Sequence, residues 1–142
     1  MRLKQAGFSL IELTVVVAIL GILATVGIVA YSGYIESTKQ KTALNIMQQI
    51  SLAQTEYYSD NGAYYPTDTG TSCEPDSDDS DSIETNLLGG EDVITDDLGF
   101  DMCTVVDDTA KYIIFAEDTS DSEEDPCVIT LNGLFTKEKT DC

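Results

Sequence analysis

Apolar residues run without interruption near the start of the chain and become periodic further along. From Leu13 to Ile35, between Glu12 and Glu36, no residue carries a charge. At about 1.5 Å per residue such a stretch, if helical, extends roughly 35 Å, enough to cross a hydrocarbon layer of about 30 Å. Further on, Ala43, Ile46, Met47, Ile50, Ala53 and Tyr57 recur at three- and four-residue steps, which is one face of a helix. No Pro occurs before Pro66. The spacing therefore predicts one helix from Phe8 to about Ser59, roughly 75–80 Å long. Its first half would meet lipid or other helices, and its second half would bury its stripe against a head. Asp60-Asn61-Gly62 is the expected stop, with Asn61 or Gly62 in the left-handed conformation. The heptads are too few and too irregular for a coiled coil.

The last third of the chain carries strand signals. Met102–Val106 and Lys111–Ala116 are separated by Asp107-Asp108-Thr109-Ala110, a turn composition. Cys127–Leu131 and Leu134–Thr136 flank Asn132-Gly133, whose tolerance of positive φ suits a two-residue type I′ hairpin. These four segments predict an antiparallel sheet packed on the long helix, an α+β architecture. Tyr64 to Leu98 and Glu117 to Pro126 are acidic, rich in Ser and Thr and poor in large apolar residues, and are expected to be surface loops.

Composition sharpens this division. The 142 residues include 26 acids and 7 bases, a net charge of −19, with no His and no Trp. Twenty of the acids lie between Pro66 and Pro126, where Lys111 is the single base. One end of the chain suits lipid and the other suits water. So acidic a chain is a poor ligand for phosphate backbones, so direct nucleic-acid binding is not expected. The commonest general base and transition-metal ligand is missing with His, and no catalytic group, cofactor or enzyme activity is assigned. Cys73, Cys103, Cys127 and Cys142 all lie beyond the apolar stretch, an even number on one side of it, which reads as two disulfides in an oxidising compartment. Three pairings exist; Cys73 to Cys103 and Cys127 to Cys142 close the shortest loops, and each would stabilise the head by roughly 3–4 kcal/mol. No CxxC pair points to zinc. The runs Asp76-Ser77-Asp78-Asp79-Ser80-Asp81 and Ser120 to Asp125 lack the central Gly and terminal Glu of a calcium loop and read as solvated acidic surface.

The N-terminus is the most specific part of the chain. Met1 to Gly7 reads MRLKQAG, with Arg2 and Lys4 as its charges, and Gly7-Phe8-Ser9-Leu10-Ile11-Glu12 leads into the apolar stretch. That stretch is too long for the core of a cleaved secretory signal, and a plain membrane anchor leaves Glu12 without a role. The order of basic leader, Gly, Phe, Glu and apolar helix closely resembles the class III leader of type IV pilins and pseudopilins. The resemblance covers about the first 35 residues. It implies cleavage of the Gly7–Phe8 bond by a prepilin peptidase, N-methylation of Phe8, and pairing of the new amino group with Glu12 of a neighbouring subunit. Members often carry a Pro about two-thirds along the membrane helix. The corresponding stretch, Thr25-Val26-Gly27-Ile28-Val29-Ala30, has none and leaves Gly21, Gly27 and Gly33 as the weak helix positions.

Residues 1–7 are therefore expected to be a leader, 8–60 a long helix with its membrane and assembly segment at 8–35, and 61–142 an acidic, disulfide-bonded head. The resemblance implies a pilin-like fold, with Cys127 and Cys142 bounding a loop near the end as in many pilins. It also implies a structural subunit of a type IV pilus serving adhesion, twitching motility or DNA uptake. Such a subunit is anchored in the bacterial inner membrane with its N-terminus cytoplasmic, and is then part of an extracellular pilus. Its partners would be copies of itself and other pilins, the prepilin peptidase and methyltransferase, an inner-membrane assembly platform, and membrane lipid before assembly. The alternative is a pseudopilin of a type II secretion system, which uses the same assembly chemistry. A membrane-tethered binding protein that never polymerises would retain its intact N-terminus. Tyr31, Tyr34, Tyr57, Tyr58, Tyr64 and Tyr65 suit membrane-interface and helix-to-head packing.

Overall fold

The computed structural model describes residues 8–109, 111–119, 126–140 and 142. The leader with Arg2, Lys4 and Gly7, the turn residue Ala110 and the acidic run Ser120–Asp125 lie outside the described residues. The chain divides into two compact units, Met1–Thr38 and Lys39–Cys142. Helix α1, Leu10–Asn61, belongs in part to each. It is helical through Gly21, Gly27 and Gly33, and a Cβ at any of these would meet nothing within 4 Å.

In the second unit, α1 lies on a four-stranded antiparallel sheet of β1 (Phe100–Asp107), β2 (Lys111–Asp118), β3 (Val128–Asn132) and β4 (Lys137–Thr140), in the order β1-β2-β3-β4. Alternation along β2 puts Tyr112, Ile114 and Ala116 on the buried face. Register places Met102 beside Ala116, Ile114 beside Leu131 and Ala116 beside Ile129. These residues enclose Ala43, Ile46, Met47 and Ile50 of α1 in one core.

The helix stripe then departs from the apolar pattern. Ala53 and Tyr57 are only half-buried, and the buried positions after Ile50 are Ser51 and Gln54. Ser51 Oγ lies 2.6 Å from Tyr112 Oη. The Gln54 side chain donates to the Tyr65 carbonyl at 2.6 Å and accepts from the Tyr65 amide at 2.8 Å. A buried amide with both ends bonded substitutes for a strand partner and fixes where the chain re-enters the head after the helix. The helix ends as expected: Gly62 has φ +75°, and its amide donates to the Tyr58 carbonyl at 2.8 Å.

Two expectations fail. The acidic segment Tyr64–Leu98 is not all loop, because it contains α2 (Ser77–Asn86) and a 3-10 turn at Asp96–Leu98. The cause is local. Asp76 is the N-cap, its carboxylate accepting from the Asp79 amide at 2.8 Å, and Asp78 and Asp79 sit in the first turn, where the helix dipole favours anions. Ile83 is the apolar anchor of this short helix and is fully buried. The Glu84 carboxylate accepts from the amides of Val93 (2.7 Å) and Ile94 (2.6 Å), which folds the following segment back. Glu117 and Asp118, expected in a loop, are the last residues of β2.

The second failure is the fourth strand, which lies at Lys137–Thr140 and not at Leu134–Thr136. Asn132 remains in β3, and its side-chain oxygen accepts from the amides of Leu134 (3.0 Å) and Thr136 (2.9 Å). That asparagine-capped geometry makes Gly133–Thr136 a four-residue loop, and the left-handed residue in it is Phe135, φ +60°, rather than Gly133.

The two disulfides join Cys73 to Cys103 and Cys127 to Cys142. The first ties the segment before α2 to β1. The outer edge of β1 is also closed by hydroxyls: the Met102 amide donates to Ser80 Oγ (3.0 Å) and the Thr104 amide to Thr67 Oγ1 (3.0 Å).

Burial raises the Asp79, Asp101 and Glu117 carboxyls above the ordinary range, and neighbouring acids add to it: Asp76, Asp68 and Asp78 for Asp79, Asp76, Asp96 and Asp81 for Asp101, and Glu74 and Asp101 for Glu117. A raised folded-state value means that the native head binds these protons more tightly than the unfolded chain. Their stabilising contribution is fully present below the ordinary carboxylate range near pH 4 and is lost as pH rises through the raised values. The full chain in neutral detergent should therefore melt at a higher temperature near pH 5 than at pH 8. Added salt should narrow the gap by screening the acids. A melting temperature that falls from pH 8 to pH 5 would contradict this. In the same assay Ile50→Ala, at a fully buried position, should cost about 2–5 kcal/mol. Leu52→Ala, two residues on and exposed, should change stability by less than about 0.5 kcal/mol.

Candidate assembly site at the start of the N-terminal helix

Phe8 and Ser9 precede α1, and the first helical turn contains Glu12. Ser9 Oγ accepts from the Glu12 amide at 3.3 Å. Glu12 Oε2 in return accepts from the Ser9 amide and from Ser9 Oγ, each at 2.9 Å. This is a capping box, in which the first and fourth residues satisfy each other's free donors at a helix start. The Ser-x-x-Glu spacing signals it in the sequence, a local role beside the pairing with another chain that the resemblance implies for Glu12. The box has a geometric result: it folds the carboxylate back to the residue directly after Phe8, at the positive end of the helix dipole.

Beyond the box the helix is apolar on every side. Within the first unit Leu10, Ile11, Leu13, Ile22, Leu23 and Ile28 are all more than 60% exposed. The helix is long and apolar enough to cross a membrane. A helix that is apolar all round and uncovered by its own chain needs lipid or other apolar helices as its surroundings. Thr14 and Thr25 return their hydroxyls to the carbonyls of Ile11 (2.9 Å) and Ile22 (2.8 Å), so neither presents a free donor to that environment.

The other residues singled out in the sequence fall in the head. The four cysteines form two separate bridges and share no site. Asp68, Glu74, Asp76 and Asp79 border one open cleft, but among the described residues no group of three or more His, Cys, Asp or Glu could hold a metal ion. The tyrosines around the end of α1 pack on one another: Tyr58 stacks on Tyr64 at 4.6 Å, Tyr57 meets Tyr65 edge-on at 5.4 Å, and Tyr64 lies 5.0 Å from Tyr112. Tyr31 and Tyr34 are exposed on the first unit.

Residues 2–28 match the family model for the prokaryotic N-terminal methylation motif. The chain is 43% identical over 60 residues to the fimbrial protein EcpC of Eikenella corrodens, covering 42% of this chain and 39% of that protein. It is 39% identical over 69 residues to the type IV major pilin protein PilE1 of Neisseria gonorrhoeae, covering 49% and 42%. It is 36% identical over 93 residues to the type IV major fimbrial protein FimA of Dichelobacter nodosus, covering 66% and 50%. The chain thus spans half or less of the length of each of these curated relatives. No solved structure matches it significantly. Through this motif, and over 42–66% of its length, the chain is similar to these type IV pilin and fimbrial proteins.

Ser9→Ala should remove the cap and cost about 1 kcal/mol locally, seen as roughly fivefold faster amide exchange over Leu10–Leu13 in detergent micelles. Exchange in the head, from Lys39 onward, should not change.

Proposed function

We propose that this chain is a structural subunit of a type IV pilus filament, made as a prepilin, cut between Gly7 and Phe8, methylated at Phe8 and polymerised through α1. The observation that carries this reading is the helix that begins at the Ser9–Glu12 box within the methylation motif and is apolar and uncovered on all sides beyond it. Such a surface is satisfied first by lipid and then by copies of the same helix in a bundle. Cleavage would remove Arg2 and Lys4, leaving five bases, and would create an ammonium at Phe8. That cation would lie at the positive end of the helix dipole, an unfavourable place for it unless a carboxylate is near. Beside the chain's own carboxylate held in the box, Glu12 of the adjoining copy would supply a second, and pairing in the apolar bundle would fix how far each subunit advances along the next.

The leader would keep the N-terminus cytoplasmic before processing, so that the cysteine-bearing head is exported and oxidised. The prepilin peptidase, the methyltransferase and an inner-membrane assembly platform are the partners this reading requires. The head, with its acids on the outside, would face solvent in a filament used for adhesion, twitching motility or DNA uptake.

Two substitutions separate processing from polymerisation. In cells with the assembly machinery, Gly7→Ala should leave the chain starting at Met1, seen by mass spectrometry of the membrane fraction. Glu12→Ala should yield a chain that starts at methylated Phe8 but gives almost no sheared filaments. Normal filament yield from the Glu12→Ala chain would refute the role given to this carboxylate.

A further inference from the structure

The charges of the head are sorted by the order of its strands. α2 lies against β1, one edge of the sheet, and β4 forms the other, about 14 Å away at the usual strand spacing. On the α2 side, Asp81, Asp92, Asp96 and Asp97 border a single open cleft. On the β4 side are Lys137 and Lys139, both exposed. They pair with Leu131 and Ile129, so both project from the same face, while Glu138 projects from the other. Lys139 Nζ donates to Gln40 Oε1 at 2.6 Å, which holds that ammonium in place. The β3–β4 loop adjoins this edge and presents Leu134 and Phe135, 60% and 66% exposed. Its Gly133 amide donates to the Tyr112 carbonyl at 2.9 Å, which brings the loop next to exposed Lys111. The head therefore has one cationic, partly apolar edge and one anionic edge.

We propose that this cationic edge, Lys137 and Lys139 with Leu134 and Phe135, docks on the α2 face of a second copy of this chain, placing the lysines against Asp81, Asp92, Asp96 and Asp97. The contact rests on the filament reading above and adds to it the surface by which the heads meet. A second copy is the occupant because the two edges complement each other in sign and lie on opposite sides of one head. Two different patches meeting head-to-tail repeat from copy to copy, and where the rotation does not close a ring such contacts build open helical assemblies. A chain with 26 acids also needs its few cations directed at neighbouring acids if heads are to pack closely. The contact is side chain to side chain and requires no strand addition.

Filaments sheared from cells test this with a zero-length carbodiimide, which links an amine only to a carboxylate already touching it. Peptides joining Lys137 or Lys139 to the segment Asp81–Asp97 are expected from filaments and not from detergent-dispersed monomers, since one head keeps these groups on opposite edges. Their absence from filaments that cross-link elsewhere overturns the proposal. Reversing the edge with Lys137→Glu and Lys139→Glu should lower filament yield by at least about tenfold. The chain should still start at Phe8 and its head should melt as before. Adding Asp81→Lys and Asp92→Lys to that chain should restore most of the yield. An unchanged yield from the first pair, or no recovery in the combined chain, also overturns it. Failure of the unaltered chain to form filaments starting at Phe8 would instead overturn the assembly reading, and this contact with it.

Discussion

Burial of Ala43, Met47 and Ile50 against Met102, Ile114, Ala116 and Ile129 is the contact on which the rest of the head depends. It gives the sheet a hydrophobic face to cover and gives α1 a reason to continue past its apolar segment as a helix with a single buried stripe. The same helix is uncovered over its first half, so its two halves obey different rules. From Leu10 to Ile28 what matters is apolarity on all sides. From Ala43 onward what matters is period, and each stripe residue must fit a specific strand. Most helix stability in proteins comes from such packing and little from propensity. The sheet is accordingly what keeps the second half of α1 ordered in water.

Like charge is the opposing influence. With the head's acids crowded around α2 and the β1 edge, three carboxyls are pushed above their ordinary range by burial and by neighbouring acids. The fold holds this crowd by giving several acids structural work. Asp76 caps α2, Glu84 gathers two amides of the following segment, and Asp107 accepts from the Thr109 amide in the β1–β2 turn. The Cys73–Cys103 bridge adds a covalent tie across the same region. An acidic segment that looks too polar to fold is ordered because its side chains satisfy backbone donors that would otherwise need water.

That explains which parts could be read from the residues alone. The long helix, its stop at Gly62, the antiparallel sheet and three of its strands follow from period and turn chemistry. The leader pattern carries the resemblance to type IV pilins, and the methylation-motif match falls on the same residues. The sequential cysteine pairing followed from loop length. Side-chain-to-backbone bonds were not legible. α2 was hidden because ten residues holding a single apolar anchor carry no hydrophobic period, and its cap, Asp76, looks like any other acid in the run. β4 was displaced because Asn132 capped a longer loop than its dipeptide with Gly133 suggests. Ser51 and Gln54 carry no signal in the sequence, because an apolar stripe cannot reveal a polar residue buried for its hydrogen bonds. At the helix start, Ser9 and Glu12 have the spacing of a capping box, a local role that the apolar run after it makes inconspicuous.

The closed edge of β1 has one more consequence. Strands at the margin of a sheet can template the addition of foreign strands, which is how amyloid grows. Here the hydroxyls of Ser80 and Thr67 occupy the outward amides of Met102 and Thr104, and at the opposite margin paired ammonium groups repel an identical strand. A head guarded at both margins is thereby kept from adding strand to strand with its own copies, however densely they are brought together.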